Sequence, residues 1–254
     1  MSEQTNWQGK VAIVTGGSSG IGQATALALT EMGANVVITG RDGARLADVA
    51  DKNPAIEAVQ ADSADPAAGK RIVEAATHRW GRLDLLVNNA GAGKPLPIEA
   101  YDGEVLSNIC AVNIVGPSLL LKEAQAALTA TKGAVVNIGT ALSQNAAPGL
   151  AHYAATKAAL EHLTRSWALE LAAHGIRVNA VSPGPVKSGA LTGMMGLPAD
   201  IARSVEETEA AQIPLGRRGE ASDLVPWILR LGSAENEWLT GQVLTVDGGW
   251  SQRS

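Results

Sequence analysis

The stretch "VAIVTGGSSGIG", residues 11–22, decides the fold. Val11 to Val14 form a short apolar run, the glycine-rich turn Thr15 to Gly22 follows at once, and a helical-period segment continues to near Met32. A glycine-rich turn between a first strand and a first helix lets backbone N–H groups reach a pyrophosphate, a charge that the helix N-terminus also favours. The string Gly-x-x-x-Gly-x-Gly is weak by itself; its place at the start of a strand–helix alternation gives it force.

That alternation runs outward along the chain. The runs "KVAIVTG", "NVVITG", "AIEAVQAD", "LDLLVNN", "GAVVNIG", "IRVNAVSP" and "QVLTVDGG" are apolar almost throughout, as expected of strands buried on both faces. Helical-period segments of about ten to thirty residues separate most of them. Repeated strand–helix–strand units imply right-handed crossovers and an open parallel α/β sheet covered by helices on both sides. No linker or low-complexity tract breaks the rhythm, so residues 1–254 are expected to form a single domain. Residues 189–213 depart from it, with two Gly-Met elements and Pro198, and are expected to form a lid over a site.

Bulk properties exclude several classes of function. A net charge of −5 gives no basic footprint for nucleic acid or for an anionic membrane. The polar start "MSEQTNWQGK" carries no secretory pattern, and no apolar run is read as membrane-spanning, so a cytoplasmic protein is expected. The one cysteine, Cys110, is expected to be a small core residue. His78, His152, His162 and His174 lack metal-ligand spacing, and no metal site is assigned.

"HYAATKAALEHL", residues 152–163, sets Tyr153 four positions ahead of Lys157 in a chain with two tyrosines. On a helix the two share a face and converge one turn apart. Taken alone, the pair is equally an amphipathic helix with a packed ring and a solvated lysine.

Here the chain resembles the classical short-chain dehydrogenases and reductases over nearly its whole length. "TGGSSGIG" is similar to that family's cofactor loop, "NNAG" at Asn88 to Gly91 to its signature after strand four, and "YAATK" to its catalytic Tyr-x-x-x-Lys. "VNIVG" around Asn113, "PGPVKS" from Pro183 to Ser188 and "TGQVLTVDGG" near the C-terminus add three more correspondences. The resemblance, closest to 3-oxoacyl-carrier-protein reductases, implies a single-domain Rossmann fold. Its seven-stranded, doubly wound parallel sheet would carry helices on both faces. It also implies hydride exchange between a nicotinamide cofactor and a small carbonyl or alcohol substrate.

The resemblance carries roles to individual residues. It assigns catalysis to Asn113, Thr140, Tyr153 and Lys157. The cofactor would be held by Gly16, Ser18, Ser19, Gly20, Ile21 and Gly22 in the first turn, and by Arg41, Asp62 and Ser63 after the second and third strands. Asn89, Ala90 and Gly91 would serve it after the fourth strand, and Pro183, Gly184, Val186 and Ser188 after the sixth, with Tyr153 and Lys157 serving both functions. Reducing a ketone needs an acid beside the developing alkoxide, and Tyr153 is the candidate. To act as base near neutrality its pKa of about 10 must fall by roughly three units, which Lys157 has the right charge to promote. In the family the lysine also bonds the nicotinamide ribose, and an asparagine matching Asn113 holds a water of the proton relay.

One departure stands out, because the family's substrate-binding serine is replaced here by Thr140 in "NIGTALS". Thr140 keeps the hydroxyl and is preferred over Ser143, three residues on. Ser188 likewise keeps a hydroxyl where a threonine is usual.

At the end of strand two the register of the ribose-binding acid falls on Gly40, and Arg41 follows. NADP(H) is therefore the expected cofactor and NAD(H) a possible one, with Asp42 starting the next helix as a cap. The alternatives are an NAD-dependent catabolic alcohol or sugar dehydrogenase and, outside enzymes, a nucleotide-sensing Rossmann protein. The acidic "VEETE" within the lid is read as a solvated helix face. The apolar "GQVLTVDGGW" and the long fourth and fifth helices point, through the family, to a homotetramer.

Overall fold

A computed structural model describes residues 6–252 of the chain. Seven parallel strands form one sheet: β1 (Val11–Thr15), β2 (Asn35–Gly40), β3 (Ile56–Gln60), β4 (Leu85–Asn88), β5 (Ala134–Ile138), β6 (Arg177–Pro183) and β7 (Val243–Val246), in the order β3-β2-β1-β4-β5-β6-β7. Each of the seven apolar runs read from the sequence supplies one strand. The order reverses between β1 and β4, whose neighbouring carboxyl ends open a crevice, the usual ligand site of such a sheet.

The helices are α1 (Gly20–Glu31), α2 (Gly43–Ala50), α3 (Ala68–Trp80), α4 (Gly103–Cys110), α5 (Gly116–Thr131), α6 (Ala151–Leu171), α7 (Ala190–Gly193), α8 (Ala199–Gln212) and α9 (Ala221–Gly232). Period-two alternation along the strands splits the core in two. Val14, Ile38, Val87 and Val136 pack with Ala26 and Leu29 of α1 and Leu224 and Ile228 of α9. Ile13, Val37, Leu86 and Val135 face the other way, onto Ile72 of α3, Leu121 and Leu128 of α5, and Ala168 of α6. Burying both faces of the inner strands accounts for their almost unbroken Val, Ile and Leu content.

The edge strands correct the expectation of burial on both faces. In β3 only Ile56 is buried, and all four residues of β7 keep partial exposure. The expectation that no segment reaches membrane-spanning length is corrected too. α4, a π turn at Ala111–Val115 and α5 form one continuous helix, Gly103–Thr131, long and apolar enough to span a bilayer by composition, with only a third of its most apolar window buried. Its buried side packs into the core beside α3, so length and composition do not make it a span. Cys110, expected in the core, lies exposed on that helix, because the face it occupies turns away from the sheet.

Candidate active site

The glycine turn is shaped from below by the segment that follows β4. Gly16 takes a positive φ of 65°, and a Cβ there would stand 2.9 Å from Asn89 Nδ2. That amide donates to Thr15 O (2.9 Å) and Gly16 O (3.2 Å), while Thr15 Oγ1 accepts from the backbone N–H groups of Asn89 (3.0 Å) and Ala90 (2.9 Å). Two motifs 74 residues apart thus become one rigid corner. Ser19 caps α1 in an extended conformation and its side chain makes no capping bond, which leaves the first-turn N–H groups facing outward.

A groove of about 960 Å³ runs along the carboxyl ends of the strands. Gly16, Ser18, Ser19, Gly20, Ile21, Arg41, Asp62, Ser63, Asn89, Ala90 and Gly91 line it, and so do Thr140, Tyr153, Lys157, Pro183, Gly184, Val186 and Ser188. Two expected residues sit elsewhere. Gly22 lies beneath the turn, where any Cβ would overlap Gly16 O and Asn89 Nδ2, so it serves close packing of helix on loop. Asn113 is fully buried behind the groove wall in the π turn. Its Oδ1 accepts from Ala92 N (2.8 Å), and its Nδ2 donates to Ala92 O (2.8 Å) and Thr156 Oγ1 (2.9 Å). Asn113 therefore ties the β4 loop to the helix that carries Tyr153.

Tyr153 and Lys157 project from the first two turns of α6. The tyrosine ring lies against Gly93, where a Cβ would meet Cδ2 at 2.8 Å; nothing in the sequence singled that glycine out. Tyr153 keeps partial exposure at the groove wall, yet the protein packed around its oxygen pushes the phenol pKa up, and a hydrogen bond with Thr140 pulls the other way. Burial outweighs the Thr140 hydrogen bond, so the phenol does not show here the depression that acting as a base requires. A phenol held protonated is in the form that donates.

Lys157 is only 3 % exposed, so it is not the solvated lysine of an ordinary amphipathic helix. Its Nζ donates to Ile138 O (2.8 Å). Burial lowers its pKa to about 8, and the carboxylate of Glu161, one turn further on, resists the fall. Gly91 faces the same ammonium, where a Cβ would come within 3.5 Å of Nζ.

The two candidate hydroxyls point in different directions. Thr140, two residues past the end of β5, lines the groove, whereas Ser143 Oγ reaches back to Thr140 O (2.8 Å) and Glu161 Oε1 (2.7 Å). At the other end of the groove, Arg41 and Arg45 stand beside Gly40. Asp42 caps α2, accepting from Arg45 N (3.1 Å), and lies 3.3 Å from Arg45 Nε. Arg45 escaped the sequence reading, because a cation five residues past the strand end carries no signal until α2 brings it to the groove.

Residues 189–213 form α7 and α8. Leu191, Met194 and Met195 border the groove, opposite Leu142 and Trp250. Trp250 in turn packs with Ile213 and Ala141. The acidic "VEETE" is not simply a solvated face. Arg218, 5 % exposed, is paired with Glu206, stands 3.0 Å from Glu209 Oε2, and donates to Val186 O (3.0 Å). The Glu209 contact is close in distance but poorly aligned as a hydrogen bond. Burial pushes the Glu209 carboxyl up, Arg218 pulls it down, and Glu206 pushes it up again.

A nicotinamide dinucleotide fits these residues: the turn has no side chain where a Cβ would fill it, and hydroxyl, phenol and ammonium groups meet at the far end of one groove.

Comparison with known proteins agrees. A family model described as enoyl-(acyl carrier protein) reductase matches residues 16–251. An uncharacterized oxidoreductase of Methylorubrum extorquens is 40 % identical over 95 % of this chain and 98 % of its own. The 3-oxoacyl-[acyl-carrier-protein] reductase of Thermotoga maritima is 32 % identical over 95 % and 98 %. Among solved structures, a 3-ketoacyl-(acyl-carrier-protein) reductase from Brucella melitensis, complexed with NADH, is 34 % identical. It superposes with a TM-score of 0.87 over 96 % of this chain and 99 % of its own.

Proposed function

Because this chain belongs to the short-chain dehydrogenase/reductase family, oxidoreductases of CH–OH and C=O groups, we propose that it is an NADP(H)-preferring carbonyl reductase with Tyr153 as its acid. The observation that carries this reading is that Thr140, Tyr153 and the buried Lys157 line one groove together with the glycine turn. In this reading a substrate carbonyl oxygen accepts from the two hydroxyls.

The glycine turn Gly16–Gly20, the β4 loop and the loop after β6 would hold a reduced nicotinamide cofactor, which would supply the hydride to the carbonyl carbon. As the C=O electron pair moves onto oxygen, Tyr153 gives that oxygen its proton and Thr140 holds it in line. Lys157 provides a fixed positive charge beneath the phenol, which stabilises the phenolate left behind. Asn113 keeps the β4 loop and α6 in register. The segment 189–213 acts as a lid, whose Leu191, Met194 and Met195 with Leu142 and Trp250 make an apolar wall suited to an uncharged substrate.

Tyr153→Phe tests the reading. It keeps the ring and removes the proton, so turnover of ketones should vanish while affinity for the cofactor stays within a few-fold. Near wild-type turnover would refute it. A panel of ketones and alcohols, followed by the absorbance of the reduced nicotinamide, identifies the substrate. The NADH bound by the Brucella reductase favours a second reading, an NAD-dependent alcohol or sugar dehydrogenase. Assembly as a homotetramer, with the chain resident in the cytoplasm, completes the proposal.

A further inference from the structure

Glu161 lies on the same face of α6 as Tyr153 and Lys157, at successive intervals of four residues. It is 7 % exposed, and a buried carboxylate is costly unless it is hydrogen-bonded or faces a cation. The first condition is met directly; as for the second, Lys157 lies one turn back on the same face, its Nζ on Ile138 O while the next residue, Gly139, borders Glu161 Oε1. Oε1 accepts from Ser143 Oγ (2.7 Å) and Ser182 Oγ (2.5 Å). Ser143 belongs to the turn just after Thr140, and Ser182 to β6 just before Pro183. One carboxylate oxygen thus joins the segment bearing the substrate hydroxyl, the helix bearing the phenol and ammonium, and the strand that leads into the cofactor loop. Gly139 makes room for it, since a Cβ there would overlap both Ser182 Oγ and Glu161 Oε1.

We infer that Glu161 is a positioning residue, a buried counter-charge that holds the Lys157 ammonium in place beneath Tyr153. The inference rests on the roles proposed above for those two residues. The groups around the ammonium support it. On α6 they are Tyr153 and Glu161; β5 contributes the Ile138 carbonyl, the β4 loop Gly91, and the π turn the neutral Asn113 amide. The charge that acts on Lys157 is that of Glu161, opposing the desolvation that brings the ammonium to about 8. Arg165, the nearest cation further along α6, is turned to the backbone carbonyl of Glu161 (3.3 Å). Asp247, on the β7 side of Gly184, is taken up by the N–H groups of Gly249 and Ser251.

The test is Glu161→Gln in the full chain, which keeps shape and hydrogen bonding and removes the charge. Lys157 is titrated by trace acylation with acetic anhydride across pH, read by mass spectrometry of its peptide. In parallel the pH profile of kcat/KM for ketone reduction is recorded. We expect the Lys157 midpoint to fall by about one pH unit, with the alkaline limb of the profile moving down alongside it. A residue that merely packs would lower thermal stability and leave both midpoints where they are, and unmoved midpoints in folded protein overturn the inference. Should the glutamine variant not fold, Glu161→Asp, with its charge drawn back by one methylene, decides: a downward midpoint supports the inference and an unchanged one overturns it. Acylation needs no turnover, so failure of the proposed reaction and failure of this inference are read separately.

Discussion

Ser143 and Glu161 are joined by a hydrogen bond of 2.7 Å that turns the serine hydroxyl into the protein, away from the groove that Thr140 lines. The substrate-facing hydroxyl therefore comes from Thr140 alone of the two. Thr140→Ala removes one oriented donor to the reacting oxygen and should lower kcat by about 10²-fold or more. Ser143→Ala loosens a support and should cost less than about tenfold. Steady-state kinetics on one ketone compares them, and a larger loss at Ser143 would reverse the assignment.

Lys157 is the group expected to give the proposed reaction its pH dependence. With its pKa near 8 and the Tyr153 phenol pushed up, the first group to lose a proton as pH rises is the ammonium. Reduction should hold level below about pH 8 and decline above it, and Lys157→Met should abolish that limb along with most activity. Stability moves the opposite way. The folded pKa lies below the ordinary 10.5, so between about 8 and 10.5 the unfolded chain binds more protons, and this group makes the fold more stable as pH rises through that window. Urea midpoints of wild type and Lys157→Met from pH 7 to 10 check the sign: the wild type should gain on the variant.

The strands, their parallel pairing and the glycine corner were legible because each rests on local chemistry: runs of Val and Ile for buried strands, glycines where the backbone must come close. Tyr153, Lys157 and Thr140 were legible as a resemblance. Glu161 and Arg218 were not, since a charged residue in a helix or loop reads as solvated until packing buries it. Their signals were faint: Glu161 repeats the four-residue step from Tyr153, and Arg218 lies twelve residues from the Glu206 it pairs with. Cys110 was misread for the converse reason, as an apolar pattern does not tell which side of a long helix faces the sheet.

Arg218 links α8 to the loop after β6 through Glu206, Glu209 and the Val186 carbonyl. Arg218→Leu leaves both carboxylates and the carbonyl without it. Partial exposure of the two glutamates limits the loss to about 1–2 kcal/mol of stability. The local effect should be larger: faster proteolysis within 189–213 and a several-fold rise in substrate KM. Unchanged cleavage would show that the pair does not restrain the segment.

Assembly has a built-in reporter. Val115 on the long apolar helix, Leu169 on α6 and Trp238 before β7 are exposed, Trp238 completely. Exposed apolar residues on the long helix, on α6 and just before the last strand are suited to two-fold contacts. Sedimentation at micromolar concentration should give about four times the chain's 26.0 kDa. A monomer mass would refute the tetramer. Trp250 is already buried within its own chain but Trp227 is also exposed, so a blue shift of tryptophan emission on raising concentration would report Trp238 when Trp238→Phe removes it.

The proposed cofactor preference rests on the end of β2. Gly40 offers no carboxylate to bond a ribose 2′-hydroxyl, and a Cβ there would make only ordinary contacts with Ser18 and Leu46, so space remains for a larger group. The one acid nearby, Asp42, is engaged by the Arg45 backbone N–H and guanidinium, which weakens its repulsion of a phosphate. Arg45 is correspondingly occupied, and Arg41 is left as the group to pair with a 2′-phosphate. Such a contact contributes on the order of 1.5–3 kcal/mol when shielded. Arg41 is exposed, so the lower end applies, and a preference for NADPH over NADH of about tenfold in kcat/KM is expected. Arg41→Ala should bring the ratio close to one by raising the KM for NADPH and leaving that for NADH unchanged, while Arg45→Ala should move it less. A wild-type ratio below one, or a ratio that Arg41→Ala leaves untouched, would assign the enzyme to NAD(H).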